Sequence, residues 1–168
     1  MIGVYIGRFQ PFHLGHLEAV KYALSQVDFL YIIIGSAEKS HEFQNPFTIG
    51  ERINMIKMSL EEEGIDCKRY MLLPLADVSS HALWTYHLDL LVKDYDVVFT
   101  NDPLTKRLFN ERRIKVIEVP LKNREILSGT EIRRRMVKGE EWQSLVPKSV
   151  ANYLFKIKGD ERVKALYK

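Results

Sequence analysis

Apolar positions follow two alternating rhythms along the chain. Short runs rich in β-branched and aromatic side chains occupy Ile2–Ile6, Phe29–Ile34, Tyr70–Leu75, Val97–Thr100 and Lys115–Val119, and runs of this length and composition predict buried strands. Between them the spacing lengthens to three and four. Leu17, Val20, Leu24 and Val27 make one such stripe, the mark of a helix with one apolar face. A second helix opens on a T-x-x-E capping box, Thr48 with Glu51, continues through an apolar face of Ile53, Ile56 and Leu60, and stops at Gly64. Further helices are predicted over Leu83–Val92, Leu104–Asn110, Glu131–Val137 and Val150–Ile157. Strand and helix alternate throughout, which predicts an α/β fold: a Rossmann-like, doubly wound, parallel five-stranded sheet flanked by helices, in a single domain over residues 1–168 with a C-terminal helical segment from about residue 129. Ser36–Phe47 shows no period and follows a strand directly, so it is predicted to be a long loop at the ligand edge.

Composition narrows the function classes. A chain of 168 residues that is 46% hydrophobic supports one core. No stretch approaches the roughly 20 consecutive apolar residues a bilayer crossing needs. The N-terminal residues have no basic region and no small-residue cleavage site, so a cytoplasmic protein is expected. The one cysteine, Cys67, forms neither an internal disulfide nor a thiolate zinc site and is read as a plain core or surface thiol. Net charge is +3, but unevenly spread: residues 1–102 hold 8 Lys/Arg against 14 Asp/Glu, and residues 103–168 hold 17 against 8. The second part is therefore the one suited to an anionic ligand.

Two motifs carry chemistry. The first strand runs into Gly7-Arg8-Phe9-Gln10-Pro11-Phe12-His13-Leu14-Gly15-His16 at the start of a helix. Gly7 permits a close turn, and Gly15 leaves room for a phosphate or sugar. The helix start is expected to offer unpaired N–H groups to an anion. His13 and His16, three residues apart, project to one side. H-x-G-H lacks the glutamate of the H-E-x-x-H zinc motif, and neither a P-loop nor a G-x-G-x-x-G sequence follows the first strand. What remains is a site that holds phosphates with imidazoles and a helix N-terminus. The second motif is Ser128-Gly129-Thr130-Glu131-Ile132-Arg133. There Ser128 and Glu131 form a second capping box, and Arg133 brings a permanently charged fork about one turn into the helix.

Together these motifs resemble the H-x-G-H and [S/T]-x-x-x-x-R signatures of the nucleotidyltransferase superfamily. More narrowly, the chain is similar to the archaeal-type nicotinamide-nucleotide adenylyltransferases, with Pro46-Phe47-Thr48, Gly50-Glu51-Arg52, Ala82-Leu83-Trp84 and Arg107-Leu108-Phe109 in register. The resemblance implies transfer of AMP from ATP to nicotinamide mononucleotide (NMN), giving NAD+ and pyrophosphate by direct in-line attack on the α-phosphate. It implies catalytic roles for His13, His16 and Arg133, and an ATP site of Gly7, Arg8, Phe9, His13, Gly15, His16, Asn101, Ser128, Gly129, Thr130 and Arg133. For NMN it implies Phe9, Ser36, Asp77, Val78, His81 and Trp84, with Ser36 on the acceptor phosphate and Trp84 stacking the pyridinium. Mg2+ is expected as the ATP complex and not on protein side chains, with no nucleic-acid or membrane partner. A homo-oligomer as large as a hexamer is expected, with Tyr153, Phe155 and Tyr167 available for contacts.

Two departures from the family pattern stand out. Gln44 and Asn45 occupy the place of a loop basic residue, for which Lys39 or Arg52 is the expected substitute, and His81 stands where the family often has Asn. Protonation of His81 beside a cationic ring is expected to weaken acceptor binding in mild acid. Two alternatives stay open: a nucleotidyltransferase acting on pantetheine phosphate or flavin mononucleotide, and a non-catalytic nucleotide- or nucleic-acid-binding module.

Overall fold

The computed structural model describes residues 1–167. Their order is β1 (Ile2–Gly7), α1 (Leu14–Gln26), β2 (Phe29–Ile34), α2 (Ile49–Glu62), β3 (Tyr70–Pro74), α3 (His81–Leu91), β4 (Val97–Phe99), α4 (Pro103–Glu111), β5 (Lys115–Ile117), α5 (Gly129–Lys138), α6 (Lys148–Lys156) and α7 (Gly159–Leu166). Short 3-10 turns lie at Cys67–Arg69 and Gln143–Leu145. The five strands form one parallel sheet in the order β3-β2-β1-β4-β5. The order reverses between β1 and β4, and in open sheets of this kind ligands bind outside the carboxyl ends of the strands at that switch. The fold is the expected Rossmann-like α/β sheet.

The described chain gathers into two compact units. The first comprises Met1–Gly7, Ala19–Ala37 and Asp66–Pro120 and contains the whole sheet. Its core joins Val4, Ile33 and Val98 from the sheet with Leu88 and Val92 at the end of α3 and Phe109 of α4. β2 reads as an almost unbroken apolar run because a parallel strand is covered on both faces; Leu30, Ile32, Ile33 and Ile34 are fully buried. Asp102 caps α4 by accepting from the Thr105 amide, with Pro103 in the first turn where a missing N–H costs nothing.

The second unit comprises Arg8–Glu18, Glu38–Ile65 and the chain from Leu121 onward. The Thr48–Glu51 capping box is complete at the start of α2. The buried face of α2, however, is Arg52, Met55, Ile56, Ser59 and Leu60, and Ile53 is only half-buried. The expected apolar face is thus rotated by about one residue. It turns to accommodate Arg52, which burial-minded pattern reading places in solvent. α7 lies within the expected C-terminal helical segment, although no separate apolar stripe marks it: half of its residues are charged, and Val163 is its one fully buried apolar side chain. Residues 36–47 do form a loop, tied internally by the His41 amide to the Pro46 carbonyl and by reciprocal Glu42–Asn45 main-chain bonds.

Candidate active site

β1 ends at Gly7, and the chain turns through Phe9, which adopts a left-handed φ of 56°, before α1 begins. His13 is the residue that caps α1. Its Nδ1 accepts from the main-chain N–H of Gly15 at 3.0 Å and more weakly from that of His16 at 3.4 Å, while His16 Nδ1 accepts from the His13 N–H at 3.1 Å. The H-x-G-H motif is therefore a capping box built from two imidazoles, the reciprocal geometry that Ser and Glu give elsewhere. The expectation of free N–H groups at the start of α1 is corrected for three of them, because the histidines themselves take those of His13, Gly15 and His16.

This arrangement fixes the chemistry of both rings. A ring nitrogen that accepts a hydrogen bond carries no proton, so each neutral imidazole holds its proton on Nε2 and presents a donor away from the main chain. The rings stack with centroids 3.6 Å apart. Phe9 meets His16 edge-on at 4.8 Å and Phe12 lies nearly parallel to it at 5.5 Å. Burial lowers the pKa of His13 to about 4. Burial, then the neighbouring His13, holds His16 well below its usual value. Both rings are neutral donors at neutral pH. Gly15 is required here for space, since a Cβ on it would lie 2.8 Å from His13 Cε1.

The second motif supplies the positive charge. Ser128 caps α5 by accepting from the Glu131 amide at 3.1 Å. The expected reciprocal bond is missing because the Glu131 carboxylate turns outward to Arg134 and Arg135, which hold it at about 2. Only half of this capping box forms. Arg133 is 5% exposed, donates from Nη1 to the Gln10 carbonyl at 2.7 Å, and reaches Thr130 Oγ1 at 3.5 Å. Its Nε has no partner among the described residues. Burial and then the nearby Arg8 lower its pKa to about 10, so it stays charged at neutral pH. A buried cation whose partners are neutral oxygens, with one N–H still unpaired, is prepared for an anion. Gly129 makes this approach possible: a Cβ there would sit 2.7 Å from Arg133 Nη1 and 3.2 Å from the Gln10 carbonyl oxygen.

Several residues around these motifs escaped the sequence reading. Gln10 is 3% exposed, and both ends of its amide pair with the Phe47 main chain, Nε2 to O at 3.1 Å and Oε1 from N at 2.9 Å. Arg162 of α7 donates to the Pro46 carbonyl and makes a two-pronged ion pair with Glu51 at 2.6 and 2.8 Å. Arg52 does not replace the loop basic residue. It is fully buried and donates to the carbonyls of Arg8 and Lys39, so it braces the loop and does not face a phosphate. At the departure itself, buried Asn45 accepts from exposed Arg8 at 3.3 Å, so an amide orients a cation where the family often places one. Gln44 is exposed. Phe9 is 1% exposed, so its ring forms the wall behind His16 and not a surface for either nucleotide.

The remaining candidates lie in the first unit. Ser36, with φ 47°, donates its hydroxyl to both carboxylate oxygens of Asp77 at 2.9 and 3.1 Å. That proton is committed to Asp77, so the Ser36 hydroxyl serves to fix a carboxylate and is not set to donate to an acceptor phosphate. Trp84 is half-buried, its ring edge-on to Phe109 at 5.5 Å and 87°. His81 begins α3 and is exposed, with Val78 half-buried before it. Asn101 exchanges two hydrogen bonds with the Val119 main chain, at 2.8 and 2.7 Å. Its amide extends the β4–β5 pairing by one step, which is a structural task.

Comparison with known proteins converges with this geometry. Residues 4–135 match the cytidylyltransferase-like family. The chain is 50% identical to the nicotinamide-nucleotide adenylyltransferase of Pyrococcus horikoshii over 98% of its own length and 88% of that protein. It is 43% identical to the enzyme of the same name from Saccharolobus solfataricus, over 98% and 95%. Among solved structures it resembles a bifunctional NMN adenylyltransferase/ADP ribose pyrophosphatase of Francisella tularensis complexed with AMP and a manganese ion, with TM-score 0.84 and 29% identity over 98% of this chain. It spans about half of that longer chain, 51%. With its paired imidazoles, its buried arginine and these relatives, the chain belongs to the nicotinamide-nucleotide adenylyltransferases of the cytidylyltransferase-like family.

Proposed function

We propose that the protein joins nicotinamide mononucleotide to the AMP part of ATP, releasing pyrophosphate and forming NAD+. An oxygen of the mononucleotide 5′-phosphate attacks the α-phosphorus of ATP. The bond from that phosphorus to the α,β-bridging oxygen breaks, and pyrophosphate leaves with the bonding pair. No protein nucleophile is needed, so catalysis rests on positioning and charge. The carrying observation is the pair of imidazoles whose Nδ1 atoms are held by main-chain N–H groups, which leaves the proton of each neutral ring on Nε2. They are assigned to the α-phosphate and its bridging oxygen, where negative charge grows. Arg133, with its unpaired Nε, Arg8, and Ser128 to Thr130 at the α5 N-terminus are assigned to the β- and γ-phosphates, with Gly7 and Gly15 giving clearance.

On the acceptor side, Trp84 is assigned to the cationic nicotinamide ring, and Asp77, Val78 and His81 to its carboxamide. A divalent ion enters with the triphosphate as part of the substrate, and Mg2+ is the ion we assign. The reading also includes a cytoplasmic enzyme that assembles as a homo-oligomer, up to a hexamer. Phe155 and Tyr167 are half-exposed and available for contacts, whereas Tyr153 accepts from Asn54.

The test offers NMN, nicotinic acid mononucleotide, pantetheine phosphate and flavin mononucleotide in parallel to the purified protein with MgATP and follows pyrophosphate release. NAD+ formed with NMN is the expected result. Release only with another acceptor overturns the Trp84 assignment and keeps the phosphate chemistry, and no release with any of them overturns the reaction.

A further inference from the structure

We infer that Gln10 is a positioning residue for the adenylyl transfer, acting through Arg133; the inference rests on the reaction proposed above. Two facts about Gln10 combine. Its main-chain carbonyl receives Arg133 Nη1 at 2.7 Å, the shortest of the contacts described for that guanidinium. Its side-chain amide meanwhile bridges the Phe47 main chain in both directions, as a neighbouring strand would. A carbonyl orients an arginine only as well as its own peptide is held, and Gln10 holds its peptide through the side chain.

The far end of that clamp is itself fixed. Phe47 is fully buried, the preceding Pro46 carbonyl accepts from Arg162, and the following Thr48 is tied to Glu51 by the complete capping box. Arg162 also holds the Glu51 carboxylate from the other side. The position of Arg133 is thus referred through Gln10 to the rigid entry of α2 and to α7. This is the kind of support a charged group needs when the barrier depends on placement within fractions of an ångström. Gly129 leaves no slack, because the Arg133–Gln10 contact passes where its Cβ would be.

The experiment is a double-mutant cycle on the full chain, read as kcat and KM for NMN-dependent pyrophosphate release, with thermal unfolding followed on every variant. Gln10→Leu removes both bonds to Phe47. Gln10→Glu keeps the shape and the acceptor and loses the donor, and it carries the test should Gln10→Leu fail to fold. In the wild-type background either change is expected to lower kcat about 10- to 100-fold, with KM for NMN changed less. In an Arg133→Ala background the same change is expected to alter kcat less than about threefold, because the group it positions is gone. Equal factors in the two backgrounds, or an unchanged kcat in the first, overturn the inference. A wild-type protein without NMN-dependent release overturns the proposed reaction instead.

Discussion

The two histidines show how a spacing of three residues serves structure and chemistry together. His13 and His16 occupy the two key positions of a capping box, so they complete the helix start while their outer nitrogens stay available. Burial makes both resist protonation, which has a cost in acid. The His13 pKa falls from about 6.5 to about 4 on folding. Above pH 6.5 neither state binds the proton and stability is unaffected. Between pH 6.5 and 4 the unfolded chain takes it up and the folded one does not, so stability falls by up to about 3 kcal/mol. Chemical denaturation at pH 7.5 and pH 4.5 checks this, and His13→Asn, which keeps a cap without the titration, is expected to flatten the difference. His13→Ala, His16→Ala and Arg133→Ala are each expected to lower kcat more than they raise KM, by about 100-fold, since their bonds strengthen as charge develops. Steady-state kinetics on the three variants decides it. The identity of these residues was legible in the sequence, whereas Gln10 was not: a glutamine in a loop carries no periodic signal, and its partner is a main chain 37 positions away.

At the scale of elements, helix starts hold the two motifs in place. α5 begins at Ser128 with its first turn beside Arg133, and α2 begins where Gln10 and Arg162 converge on Pro46 to Thr48. Both starts were readable from Ser or Thr followed by Glu three residues on. The limits of that reading are physical. Glu131 had arginines within reach three and four residues ahead and took them in place of its own cap, and Arg52 lay on the buried face because loop carbonyls were there to receive it. The bounds of α7 within the C-terminal helical segment were not legible since its hydrophobic pattern is thin; its hold on the rest of its unit includes the Arg162–Glu51 pair. Burial alone would raise the Glu51 pKa, but the bonds from Arg162 and Thr48 prevail and lower it. Its contribution is present above the ordinary glutamate range and lost as pH falls through the lowered value. Arg162→Ala is therefore expected to cost about 2 kcal/mol at pH 7 and progressively less as pH falls through that lowered value, which unfolding curves taken down the acid range will show.

Across the whole molecule, the alternation of short apolar runs with helical stripes was enough to fix the parallel sheet and its five strands, and the motif pair was enough to indicate the family. The sequence could not say which partners the site residues take up. Ser36 gives its proton to Asp77, Asn101 gives its amide to Val119, and both bonds depend on how distant segments meet. Trp84 is half-buried and meets Phe109 in a T-shaped contact. Trp84→Ala is expected to raise the dissociation constant for NMN at least tenfold and to leave ATP binding within about twofold, as calorimetric titration of each ligand will reveal. The locked imidazoles carry one more consequence. Because main-chain N–H groups hold both Nδ1 atoms and the rings neither gain nor lose a proton in the proposed reaction, they act as fixed dipoles and not as proton carriers. Turnover in heavy water, corrected for viscosity, is then expected to show a solvent isotope effect close to one, setting this chemistry apart from enzymes whose histidines work by passing protons.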